Sequence, residues 1–152
     1  MPQIPITVRT ADHRPLVKVH DFAIPDPGVG LPLAITVPLG YRYKLASLFL
    51  EFNTDANIAD RFMIITISTP AGTVFRFTHL APIINGETRY ITLAPALASI
   101  LWSVTNMTAT TPIPTDLTLE EGSIINVAVT NIQVGDFFTG CCAQLLSQFI
   151  AE

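Results

Sequence analysis

Ser123-Ile124-Ile125-Asn126-Val127-Ala128-Val129-Thr130-Asn131 decides the fold class of this chain. In an extended backbone successive side chains point to opposite sides, so Ile125, Val127 and Val129 share one face while Asn126, Ala128 and Thr130 share the other. One apolar and one more polar face make a half-buried strand, the usual member of an antiparallel sheet. The turn residues Glu120-Glu121-Gly122 stand just before it.

The same texture fills the chain from Leu33 on, with short β-branched and aromatic runs between turn residues. It predicts eight strands near 33–37, 41–53, 61–69, 73–79, 88–93, 100–107, 123–131 and 136–149, with a short extra one at 115–119. Turns fall at Pro38-Leu39-Gly40, Pro70-Ala71-Gly72 and Asn85-Gly86, the last a hairpin signal. Along 41–53 the apolar phase slips from Tyr41, Tyr43 and Leu45 to Leu48, Leu50 and Phe52, which predicts a β-bulge near Ala46-Ser47 or a strand buried on both faces. Cys142, Leu145, Leu146, Phe149 and Ile150 fit helical spacing as well as a buried strand, and strand is the expectation taken forward. The predicted fold is all-β, an antiparallel jelly-roll-like sandwich over residues 33–152.

Residues 1–32 differ. They carry six of the twelve prolines, Pro2, Pro5, Pro15, Pro25, Pro27 and Pro32, and each removes a backbone donor and biases its predecessor toward extended conformations. That spacing excludes a helix or a central strand. Ile4, Ile6, Val8, Leu16, Val17, Val19, Phe22 and Ile24 are too many apolar residues for an ordinary disordered tail. The prediction is an extended N-terminal arm with anchors that lie on something else, and Gly28-Val29-Gly30 reads as its flexible joint to the domain.

The chain of 152 residues is one domain in size. Charged residues form 13% of it, against about 25% in an average soluble domain. Such a surface is either coated in Thr, Ser and Asn, as the 18 threonines suggest, or covered by other subunits, as the mean hydropathy of +0.48 suggests. Net charge is −4, and every charge after Arg89 is acidic, so no phosphate-binding patch and no nucleic-acid partner are expected. No apolar run reaches the ~18 residues that span a bilayer, and a soluble chain with no membrane association is expected.

Few residues are spaced for chemistry. The histidines are His13 and His20 in the arm and His79 at a strand end, and none has a visible nucleophile or acid beside it. Cys141 and Cys142 are adjacent and read as two small buried hydrophobes, and no zinc spacing exists. Thr54-Asp55-Ala56-Asn57-Ile58-Ala59-Asp60 lacks the ligand ladder of a calcium loop, so Asp55 and Asn57 are expected to form a turn. Trp102 reads as a core residue. No enzyme activity, metal or cofactor is expected.

Leu39-Gly40-Tyr41-Arg42-Tyr43-Lys44-Leu45-Ala46-Ser47-Leu48, followed by Asn53-Thr54-Asp55-Ala56-Asn57-Ile58-Ala59-Asp60-Arg61, resembles small tailed-bacteriophage virion proteins with a jelly-roll-like β-sandwich. Leu119-Glu120-Glu121-Gly122 and Gly135-Asp136, each before a strand, extend the resemblance over about residues 39 to 149. It implies a capsid decoration or cement protein, often trimeric, on the outer surface of the head, with the major capsid protein and further copies of itself as partners. The arm lies outside the matching stretch. On physical grounds Ile4, Ile6, Val8, Arg9, Arg14, Leu16, Val19 and Phe22 are the expected contacts to capsid or neighbouring subunit. The alternative is a tail or spike module that binds host glycan through Trp102, Tyr41 or Tyr43.

Overall fold

A computed structural model describes residues 17–79, 81–103 and 108–148, with backbone only for 17–20, 101–103 and 148. Its strands are β1 (Val17–Ala23), β2 (Leu33–Thr36), β3 (Tyr43–Asn53), β4 (Met63–Thr69), β5 (Gly72–Thr78), β6 (Thr88–Ala94), β7 (Ile100–Ser103), β8 (Thr108–Pro112), β9 (Thr118–Leu119), β10 (Ile124–Val129) and β11 (Phe137–Gln148). They form two sheets. One runs β1-β11-β3-β6-β8-β7, with β9 added beside β3, and the other runs β2-β10-β4-β5. Among the described residues all ladders are antiparallel except β6 with β8. The all-β sandwich expected from the alternation is what the chain adopts.

The core lies between the sheets. Leu45, Leu48, Leu50, Phe52 and Phe138 from the larger sheet and Met63, Ile65, Ile67, Ile125 and Val127 from the smaller one are buried within it, each side chain contributing roughly 1.5–3 kcal/mol. The phase slip in β3 is a bulge: Leu45 pairs with Leu145 and Ser47 with Gln144, leaving Ala46 as the extra residue. It returns Leu45 and Leu48 to the same buried face. A second irregularity lies between Thr139 and Cys142 of β11, where Gly140 takes φ +59°, a conformation that costs glycine little.

Several expectations from the sequence change. Residues 17–23, read as arm, form edge strand β1, paired with β11 from Val17↔Gln148 to Ala23↔Cys142. An edge position tolerates prolines close by in sequence. The single run expected at 100–107 is β7 only to Ser103, and a further strand, β8, pairs parallel with β6. Asn85-Gly86 is a turn, with Gly86 at φ +69°, but it leads from the Arg61↔Ile83 bridge into β6 instead of joining two paired strands. Cys141 is buried while Cys142 is exposed, and both are free thiols, since neighbours on a strand face opposite ways. The C-terminal segment is strand through Gln148. The side chain of Trp102 and residues 149–151 lie outside the described residues.

Candidate interaction surfaces

Four loops meet at one end of the sandwich, where β1, β3 and β10 finish and β2, β4, β6 and β11 begin. They are residues 24–32, 54–62, 81–87 and 130–136. Their centre is Arg61, fully buried, whose Nε donates to Asp136 Oδ2 at 2.6 Å and whose Nη2 donates to Asp55 Oδ1 at 2.6 Å. The rest of the guanidinium fork donates to the carbonyls of Ala59 (3.1 Å) and Asn57 (3.2 Å). Asp136 is also fully buried, and it accepts the backbone N–H of Asp55 at 2.8 Å and of Gln133 at 2.7 Å. Desolvating such ions costs several kcal/mol each, so a buried pair adds little net stability. Its effect here is geometric, because one side chain ties the loop after β3 to the loop before β11.

The other two loops join the same centre. The Asp136 carbonyl accepts the Gly30 N–H at 2.7 Å and the Asp55 carbonyl accepts the Gly86 N–H at 2.8 Å. Gly28-Val29-Gly30, expected as a loose joint, is therefore tied in, with Gly28 also donating to Asp26 Oδ1. Asn57 N–H donates to Asp55 Oδ1 at 3.0 Å, the turn expected for this pair. Gly135 must be glycine, since a Cβ there would sit 2.8 Å from Asp55 Cβ and Oδ2.

This clamp displays aliphatic side chains. Ile58 is 93% exposed, and the carbonyls on either side of it, Asn57 and Ala59, are both held by Arg61. Val134 is 82% exposed, and its neighbour Gln133 is held by Asp136. Val29, Leu31 and Ile84 are also exposed on these loops. Loops held on a fixed scaffold are where binding residues concentrate.

Asp55 titrates accordingly. Partial burial pushes its carboxyl up, but hydrogen bonds from Asn57 and Gly135 and the charge of Arg61 outweigh that and hold it below the usual carboxylate range. A neighbouring cluster contains Arg89, which donates to Glu87 Oε2 at 2.8 Å and to the Pro82 carbonyl at 2.7 Å. His79 is buried, with Nδ1–H donating to the Ala81 carbonyl at 2.7 Å. Its place at a strand end beside a turn matches the sequence reading. Burial pushes its imidazole below the ordinary histidine range, the Ala81 acceptor opposes this, and the Arg89 charge adds to it.

For His79 the folded pKa lies below the unfolded one, so its contribution is complete above about 6.5. Below that pH the unfolded chain takes up a proton that the folded chain refuses, and stability falls. The thermal midpoint is expected to drop between pH 7.5 and 5.5, and His79→Asn, which keeps a donor toward Ala81, should flatten that part of the slope. An unchanged slope in the variant would contradict the assignment.

The second surface is the outer face of the smaller sheet. Pairing places Thr36, Ile124, Ser68 and Thr73 in one row across it, Ala34, Asn126, Thr66 and Arg76 in the next, and Ala128, Ile64 and Thr78 in a third. Arg76 is the only charged residue among them. Elsewhere, Tyr41 and Tyr43 stack with ring centroids 5.7 Å apart, and Tyr41 is 51% exposed. Among the described residues no group of three or more His, Cys, Asp or Glu is placed to hold a metal ion.

Of the expected contact residues, Ile4, Ile6, Val8, Arg9, Arg14 and Leu16 lie outside the described residues, and Val19 is placed by its backbone alone, opposite Leu146. Phe22 is exposed on β1 and lines a groove with Ile35, Val37, Pro38, Tyr43 and Leu145. The Arg61 clamp was missed in the sequence, where Arg61 reads as the opening residue of a strand. Its only local signal was the short spacing from Asp55 to Arg61, since Asp136 lies far along the chain. The molecule is an antiparallel β-sandwich with one end organised around a buried guanidinium. No protein family, curated protein or solved structure matches the chain.

Proposed function

We propose that this chain is a structural virion protein of the capsid decoration type, which associates with copies of itself, as a trimer, and binds the major capsid protein on the outer surface of the head. The observation that carries the reading is the outer face of the smaller sheet, a broad regular surface on which Arg76 is the only charge. Depletion of charge distinguishes the core of a protein interface from ordinary surface. The resemblance of residues 39 to 149 to small phage virion proteins supports the same reading.

The test is head stability. Heads lacking the protein are heated with and without it, and with Asn126→Lys/Ala128→Lys, which places two cations on the outer face. The native chain is expected to protect the heads, and the variant to lose that protection, because an unpaired charge in such an interface costs several kcal/mol. Equal protection by a folded variant would remove this face from the account.

The stacked and exposed Tyr41 favours a second reading, a spike or tail module with Tyr41 and Tyr43 as a platform for host glycan. Tyr41→Ala should then abolish retention on a glycan array. No retention of the native chain would dismiss it.

A further inference from the structure

The acidic and aliphatic character of the clamped end has a counterpart in the chain itself. Arg61 and Arg89 are both buried and engaged with carboxylates, so the outward charges on these loops are acidic. Asp26 and Asp60 are exposed and form no ion pair among the described residues. Residues 1–16 supply the complement: Ile4, Ile6 and Val8 at strand spacing, followed by Arg9 and Arg14.

We propose that the clamped end of one molecule receives the N-terminal arm of a neighbouring copy, with Ile6 and Val8 against Ile58 and Val134 and Arg9 beside Asp60. Chain length selects the neighbour over the molecule's own arm. β1 begins at Val17 opposite Gln148, the far end of β11, whereas the clamp sits at the near end beside Phe137. The 12 residues of β11 make about 11 steps, roughly 36 Å at about 3.3 Å per step. Val17 stands eight positions after Arg9, a backbone reach of at most about 29 Å. At full extension the backbone at Arg9 of the same molecule would stop short of the Phe137 end, while a copy stacked end to end would present its Arg9 there. Such a contact is heterologous, and it closes into a ring when the rotation between copies allows. This inference rests on the self-association in the proposed function and names the surfaces that carry it.

Sedimentation equilibrium of the full chain tests it. Arg9→Asp and Asp60→Arg are each expected to weaken self-association by roughly 30-fold or more, and the two together to restore most of it. Removal of residues 1–14, which leaves β1 whole, should weaken it at least as much. In a Cys142→Ser background, Ile6→Cys mixed with Ile58→Cys should yield an interchain disulfide under mild oxidation. If the chain assembles and neither the deletion nor the single swaps weaken it, the arm contact is overturned while self-association stands. If the native chain stays monomeric, both fall.

Discussion

Arg61→Ala is expected to lower the free energy of unfolding by about 3–5 kcal/mol, the usual result of removing one partner of a buried ion pair. The variant strands Asp136, which is fully buried, and leaves the carbonyls of Ala59 and Asn57 without the donor that holds them. Urea denaturation measures the loss as a lowered midpoint with little change in slope. Arg61→Lys should recover only part of it, because an ammonium group cannot reproduce a planar fork that reaches two carboxylates and two carbonyls at once. A loss below about 1 kcal/mol would place Arg61 in the class of exposed ion pairs and remove the clamp from the account.

Phe52→Ala is the second large effect, expected at about 3–5 kcal/mol, and its cause is different. Phe52 is fully buried and packs on Phe138 with centroids 4.8 Å apart and rings tilted by 48°, an arrangement that favours the ring edge over the face. Truncation opens a cavity beside Phe138 in the core between the sheets, so Phe52→Leu, which refills part of it, should lose less than half as much. A double-mutant cycle with Phe138→Ala is expected to be non-additive, since the two rings share the void. Strict additivity would mean that the rings do not pack as described.

The two variants also separate what the sequence revealed from what it concealed. Phe52 is predictable, because the alternation of Leu48, Leu50 and Phe52 assigns it to the core and the phase slip at Ala46-Ser47 marks the bulge that keeps it there. The β10 pattern and the turn at Gly122, which has φ +77°, are local signals of the same kind. Arg61 is not predictable in this way. Its value depends on Asp136, and a contact between residues 75 positions apart leaves no mark on either neighbourhood.

β8 was hidden for a related reason. Thr108-Ala109-Thr110-Thr111-Pro112 is polar and ends in proline, and it is a strand through its pairing with β6 on one side and β7 on the other. β1 shows the opposite bias, since nearby prolines argue against a strand in general but not against an edge strand. Its pairing alters the design of truncations: removing residues 1–30 would uncover β11 and take away buried Ile24, whose N–H donates to the Cys141 carbonyl. A deletion ending at residue 14 isolates the arm.

The two surfaces divide the labour of assembly in this account. The outer face of the smaller sheet offers area on which Arg76 is the only charge, and the clamped end offers displayed aliphatic groups on backbone held by Arg61 and Asp136. Rigid presentation matters because immobilising a loop on binding costs free energy that a preformed loop does not lose again.

The central claim is that the protein is a structural part that binds a capsid. Co-sedimentation of the full chain with purified heads that lack it tests this most directly. The account predicts saturable binding at a fixed ratio to the major capsid protein, and a chain that remains in the supernatant at every concentration would contradict it.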